Sequence, residues 1–430
     1  MSAPEDLAVL DHPPAPARPT AWATARETAR RAGRPVSAPL RLPLNDALGR
    51  TLAEPLTALT DLPAFTTSAM DGWAVAGPGP WRVTGRLLAG RPAEGPLPDG
   101  AAVEIATGAQ LPPGATAVLR REHGEAEESG MAAGAVGPAG SAGAGRPAGT
   151  GAPRGPLLRE LVPGTLTTGQ DVRPRGQECR RGEELLPAGT PVGPAVLGLA
   201  AACGHDRLAV RRRPVAELLV LGDELLGSGL PRPGLVRDAL GPLLPPWLRA
   251  AGADTGEPRA VRDDFGLLRD ALRNSTADVV ITTGGTAAGP VDFLHRALAE
   301  AGARLLVDGV AVRPGHPMLL AELPGGRHLV GLPGNPLAAV AATVTLALPL
   351  LHALAGRGAV DPVLATAADA LPGHPADTRL LPVRRTARGV VQLPHDGPAM
   401  LRGLARAEAL AVVPPGGAAA GTEIELLEAP

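Results

Sequence analysis

Val279-Val280-Ile281-Thr282-Thr283-Gly284-Gly285-Thr286 is the stretch that decides how this chain folds. Five β-branched residues run without a charge into two glycines, the pattern of a buried strand that ends in a tight turn. The same junction occurs on either side of it. Val215–Leu221 runs into Gly222-Asp223-Glu224, and Leu329–Leu332 runs into Pro333-Gly334-Asn335-Pro336. Helix-compatible stretches lie between and around these strands, over Pro194–Gly204, Pro246–Ala251, Val291–Ala301 and Pro336–Leu354. This alternation predicts an α/β domain over residues 194–358, built on a doubly wound parallel sheet.

Right-handed crossovers bring parallel strands back in one direction, so the three Gly-rich loops must face the same edge of the sheet. At such an edge, backbone N–H groups and helix N-termini point toward an anion. Taken singly, each loop reads as a tight turn or a capped helix start. Three on one edge, two of them with acidic side chains, favour an anion and metal site. Asp223, Glu224 and Asp264 are the carboxylates available to it in this domain, and Asp292 lies beyond the second loop.

The rest of the chain reads outward from this domain. Residues 1–19 carry five prolines and no apolar periodicity, as expected of a disordered leader. Ala21–Ala32 is helix-compatible, and Leu40–Pro55 reads as a strand and a short helix; residues 20–55 and 156–193 together form a scaffold. Residues 56–125 suggest a β-rich lobe with strands at Trp81–Leu88 and Ala102–Thr107. Residues 126–155 are nearly all Gly, Ala, Pro and Ser, a flexible insertion by composition. Its Gly143-Ala144-Gly145 run fits a dinucleotide fingerprint only formally, because no strand precedes it and no helix follows. The tail, residues 359–430, predicts a small separate β-barrel with strands near Leu380–Arg384, Val390–Leu393, Ala409–Val413 and Thr422–Leu427.

Composition bounds the function. At 430 residues, the chain is long enough for several domains. Its 41 basic residues are all arginine and nearly balance 43 acidic ones, for a net charge of -2; no global field recruits nucleic acid. An aromatic share of 2% removes the stacking platforms of single-strand binders. Cys179 and Cys203 support neither a disulfide framework nor a zinc site. With no signal peptide and no run of about 18 uninterrupted apolar residues, a cytoplasmic protein free of membrane is expected.

Specific motifs carry a resemblance. Thr67-Ser68-Ala69-Met70-Asp71-Gly72-Trp73-Ala74 resembles the SAMDGYA segment of the molybdopterin molybdenumtransferase family, the MoeA and gephyrin E-domain proteins. Thr107-Gly108-Ala109-Gln110 and the residues after it resemble that family's TGAPLPEGADAV stretch. Arg173-Pro174-Arg175-Gly176, Pro187–Thr190, Gly222–Leu225, Thr283–Gly285, Arg313–Gly315, Gly331–Pro336 and Leu401–Ala405 follow in the family's order, from about residue 40 to the C-terminus.

The resemblance implies a four-part subunit with a MogA-like molybdopterin-binding domain, and an antiparallel homodimer whose active site is shared between partners. It implies Mg2+-dependent insertion of molybdate into adenylylated molybdopterin with release of AMP. Such chemistry needs cationic contacts to phosphate, and carboxylates for Mg2+. The catalytic candidates are Asp71, Thr107, Asp223, Glu224 and Asp264, with Asp71, Asp223 and Glu224 holding metal. Gly222, Asp238, Gly284, Gly285, Thr286, Asp292, Arg313, Gly315, His316, Pro333, Gly334 and Asn335 are the candidates for binding substrate.

Departures from the family's pattern are confined to named positions. Gln177 stands where an acid is usual, Ala287 and Pro290 lack polar side chains, and a KPGKP segment becomes Arg313-Pro314-Gly315-His316-Pro317. Turn chemistry alone also accounts for Asp71 before Gly72, and for His316 between two prolines. The YDTN segment becomes Arg237-Asp238-Ala239-Leu240, followed by Pro242, Pro245 and Pro246, so the next helix is expected to start late. A non-catalytic molybdopterin-binding paralogue, or a transferase for a related pterin or for tungsten, remains the alternative reading.

Overall fold

The computed structural model describes residues 18–127, 155–286 and 293–430. The leader up to residue 17, nearly all of the Gly/Ala-rich insertion with its Gly143-Ala144-Gly145, and loop positions Ala287, Pro290 and Asp292 lie outside the described residues. The chain divides into two compact units. One takes in the described parts of Met1–Pro55, Pro187–Leu197 and Arg207–Pro430; the other takes in those of Leu56–Leu186 and Gly198–Asp206.

In the first unit, Val279–Thr283 sits between Val215–Leu221 and Arg327–Leu332, parallel to both. It is buried on both faces, with Val279, Val280 and Ile281 all 0% exposed. Alternation along the neighbouring strand explains the layering. Ala216, Leu218 and Val220 point into one core with Leu244, Leu248 and Leu350, while Leu219 and Leu221 point into a second with Leu268, Leu294 and Leu298. Leu319–Leu323 runs antiparallel beyond Arg327–Leu332, with Arg304–Asp308 beyond it, and short strands Asp254–Thr255 and Arg259–Val261 pair on the opposite side. The sheet is thus parallel at its centre and mixed at one edge.

Pro336–Leu354 is helical throughout but changes register in the middle. Pro336–Ala342 and Leu348–Leu354 are α-helical, and Thr343–Ala347 forms a π segment in which the Leu348 amide reaches back to the Thr343 carbonyl. Pro349 follows, where the chain lacks an N–H for the ladder. This is also a helix apolar and long enough to cross a membrane by length and composition. Here 83% of its apolar window is buried within the protein. Trp22, on the helix Trp22–Ala32, donates its indole N–H to Thr345 Oγ1 at 3.1 Å.

One helix starts earlier than expected. The helix after Asp238 spans Leu240–Ala250 and contains Pro245 and Pro246, rather than starting at Pro246. Pro242 falls in the first turn, where amides are unpaired anyway. Asp238 accepts from the Leu240 and Gly241 N–H groups, and Leu244, Trp247 and Leu248 are buried; capping and burial outweigh the ladder bonds lost to the later prolines. The C-terminal strands Val363–Thr366, Thr378–Thr386, Gly389–Gln392, Ala409–Val413 and Glu423–Glu428 share a core of their own that includes Leu381, Val383 and Val413. Their sheet continues through Val310–Arg313 to Thr20–Ala21, and Leu380, Leu410 and Leu427 enter the larger core of the α/β layers.

The second unit is a six-stranded sheet in the order Gly124–Glu127, Leu157–Glu160, Trp81–Leu87, Ala101–Ile105, Gly72–Val75, Ala117–Arg120. Leu157–Glu160, in the stretch read as scaffold, completes this lobe. Gly72 is obligatory: a Cβ there would lie 2.0 Å from the Leu119 carbonyl oxygen. Cys179 and Cys203 are both buried free thiols, their sulfurs 3.7 Å apart in hydrogen-bond contact and with no disulfide between them.

Because Ile281 is buried from both sides in the central strand, Ile281→Ala is expected to destabilise the first unit by about 2–5 kcal/mol. Equilibrium chemical denaturation checks this.

Candidate active-site cleft

The parallel pairing of Val215–Leu221, Val279–Thr283 and Arg327–Leu332 carries their three loops to one edge of the sheet. There they line a cleft of about 710 Å³. Gly222 and Glu224 come from the first loop, Gly284 and Gly285 from the second, and Gly334 and Asn335 from the third. The Gly284 amide donates to the Leu332 carbonyl at 2.8 Å, tying the second strand end to the third. Gly222 has a positive φ of 136°, and a Cβ there would come within 2.7 Å of Glu224 Oε2. Glycine therefore leaves the Glu224 carboxylate room to fold over the loop.

The other candidates in this unit take different places. Asp238 lines the cleft, but its carboxylate is engaged by the Leu240 N–H at 2.9 Å and the Gly241 N–H at 3.1 Å. Asp223 is outside the lining and pairs with Arg262 at 3.5 Å. Asp264 caps the helix Phe265–Asn274 by accepting from the Leu267 N–H at 2.8 Å, and it does not line the cleft. Its neighbour Asp263 does, and also accepts from the Asp223 N–H at 3.2 Å. Asp264 is the residue that caps the helix, so of this Asp-Asp pair it is Asp263 that reaches the cleft.

Thr286 turns inward and is buried against Gly331. Pro333 is buried behind the third loop. Arg313 Nε donates to Asp377 Oδ2 at 2.8 Å, and the His316 Nδ1–H donates to the Val310 carbonyl at 2.9 Å. Neither lines the cleft, nor does Gly315, whose Cβ would approach the Ala338 carbonyl to 3.0 Å. Arg237 does line it and was not singled out from the sequence as a site residue.

In the second unit, Asp71 and Thr107 meet across 36 residues of sequence. Asp71 Oδ1 accepts from the Thr107 N–H at 2.7 Å and from its Oγ1 hydroxyl at 2.9 Å. The backbone hydrogen bond from Thr107 is the main cause, followed by its hydroxyl, of a carboxyl held below the usual aspartate range, with Arg121 adding attraction. Both residues are exposed at this lobe's surface.

A doubly wound domain with a Gly-rich cleft at its loop edge defines an α/β ligand-binding class of protein, since such folds bind ligands at the carboxyl ends of their strands. Residues 217–353 match the family model of a probable molybdopterin binding domain. Residues 20–204 match the MoeA N-terminal region (domain I and II), and residues 365–428 match the MoeA C-terminal region (domain IV). The molybdopterin molybdenumtransferase of Synechococcus elongatus is 30% identical over 400 residues, covering 88% of this chain and 91% of that protein. That of Bacillus subtilis is 31% identical over 307 residues, covering 68% and 65%. The crystal structure of the molybdopterin biosynthesis moeA protein from Pyrococcus horikoshii OT3 shares the fold, with a TM-score of 0.73 at 20% identity over 95% of this chain and 99% of that one. The chain belongs to the molybdopterin molybdenumtransferase (MoeA) family, transferases of molybdenum cofactor biosynthesis.

The Asp71 carboxyl is expected to titrate below ordinary aspartate, and Thr107→Val to raise it toward the ordinary value. Carbonyl-carbon NMR titration reads both. Because the folded-state value is lowered, the stabilisation is present above the unfolded-state value near 3.8 and is lost as pH falls through the folded-state one.

Proposed function

We propose that this chain inserts molybdenum from molybdate into adenylylated molybdopterin, with Mg2+ dependence and release of AMP, in the cleft between the three strand-end loops. The observation that carries this reading is the convergence of Glu224 and Asp263 with the Gly284, Gly285 and Gly334 backbone in one cleft. A cleft of about 710 Å³ lies within the range of small-molecule and cofactor sites.

The donor set suits Mg2+. Among the described residues no group of three or more His, Cys, Asp or Glu could hold a metal ion. Mg2+ commonly uses one or two carboxylates and completes its shell with water and substrate phosphate. Glu224 and Asp263 would hold it here, while Asp238 keeps its capping role. When bound, the ion would neutralise charge developing on the phosphoanhydride as it breaks. The loop backbones would orient the phosphates.

Asp71 and Thr107 fit a second contribution. A carboxylate kept ionised by two hydrogen bonds can hold a metal or orient water, and Thr107 can donate to an oxyanion once displaced from Asp71. In this reading the chain is a cytoplasmic homodimer, and the Asp71 lobe of each subunit serves the cleft of its partner.

Purified full-length protein is expected to release AMP from adenylylated molybdopterin only when molybdate and Mg2+ are both present. Glu224→Gln and Asp263→Asn are each expected to lower the rate about a hundredfold, the scale of losing one electrostatic stabiliser. Chromatographic detection of AMP checks this; no molybdate-dependent release by the wild-type protein would sink the reading.

A further inference from the structure

Arg237 is the one basic side chain among the described residues that line the cleft. It sits at the end of a short parallel pairing in which Leu225 and Leu226 lie beside Val236 and Arg237. Its Nη1 donates to the Leu226 carbonyl at 3.0 Å. That bond orients the guanidinium and leaves most of its N–H donors uncommitted. Glu224, Asp238 and Asp263 share the cleft, and among the described residues the bond of Arg237 is to the Leu226 carbonyl and not to any of these carboxylates.

The other basic groups considered for phosphate are committed elsewhere. Arg313 is bonded to Asp377, whose side chain is only 11% exposed, and His316 is bonded to the Val310 carbonyl. The positive charge expected from the Arg313–Pro317 segment is therefore absent from the cleft lining. It is supplied instead at the position where the family's YDTN segment carries tyrosine. The glycine loops at residues 284–285 and 334 line the same cleft and carry no side chains.

We propose that Arg237 is the anion-recognising, specificity-determining residue of this cleft, and that its guanidinium grips the diphosphate of the ligand in place of the two basic positions of the 313–317 segment. The assignment rests on the reading above that the ligand carries a phosphoanhydride. A guanidinium is suited to it, since its planar fork meets two phosphate oxygens at once, where an ammonium would act as a point charge.

The test uses the full chain and inorganic pyrophosphate as probe, titrated by calorimetry in metal-free buffer. Arg237→Gln is expected to weaken binding about ten- to hundredfold, the scale of losing hydrogen bonds to a charged group. Arg237→Lys should recover part of the loss, and its residual binding should stay salt-sensitive because the charge is kept. In AMP-release assays Arg237→Gln should raise KM more than it lowers kcat. Arg237 is exposed, so thermal melts of both variants should match the wild type. Unchanged pyrophosphate binding by Arg237→Gln would overturn the proposal, as would a wild-type chain that binds no pyrophosphate, or a loss confined to Arg313→Gln. Pyrophosphate binding that depends on Arg237 in a protein that releases no AMP would support the assignment while removing the proposed reaction.

Discussion

Burial of Val279–Thr283 on both faces is the constraint on which the first unit depends. A strand with water on neither side must satisfy its backbone through its neighbours, and Val215–Leu221 and Arg327–Leu332 do this in parallel register. Parallel pairing then fixes where the chain can turn. All three strands end at the same edge, and their Gly-rich turns meet there whatever the rest of the sequence does. The hydrophobic effect that drives Ile281 and Val280 inward thereby sets the position of Gly222, Gly284 and Gly334.

Chemistry at that edge is decided by which polar groups remain free once folding has used the others. Asp264 and Asp238 are taken by helix N-termini, Arg313 by Asp377, and His316 by a carbonyl. The charged side chains left in the cleft are Glu224, Asp263 and Arg237; the last two each make one hydrogen bond to backbone and keep other polar atoms uncommitted. Each committed group meets a structural need: orphan amides at a helix start require acceptors, and a carboxylate as enclosed as Asp377 requires a cation. Asp71 shows the same economy in the second unit, where Thr107 holds its carboxylate ionised at the surface.

The extended helix Pro336–Leu354 shows how composition and context can disagree. Its apolar length would suit a bilayer, yet it is buried in the same core as Trp22 and Ile281. The long leucine- and alanine-rich run compensates for a chain with few aromatic side chains, since volume must come from aliphatic residues when aromatics make up only 2%. The π segment lets that helix pass Pro349 without leaving the core.

Much of this was legible in the sequence, because the signals were local. Val215–Leu221 and Val279–Thr283 have the predicted bounds to the residue, and Gly-rich turns after apolar strands announced the loop edge. Strands of two or three residues, such as Arg259–Val261, carry too little pattern to read, so the Asp-Asp pair that follows could not be placed beside the cleft from the sequence. Prolines do not delay the helix Leu240–Ala250, because the burial of Leu244 and Leu248 and the bonds from its first amides to Asp238 outweigh backbone propensity. The sequence by itself determined the parallel sheet, the glycines at its edge and the family, all of which follow from hydrophobic period and contiguous motifs. Only the tertiary structure decided which charged side chains stay free in the cleft, because a carboxylate or guanidinium is spent or available according to partners that lie far along the chain.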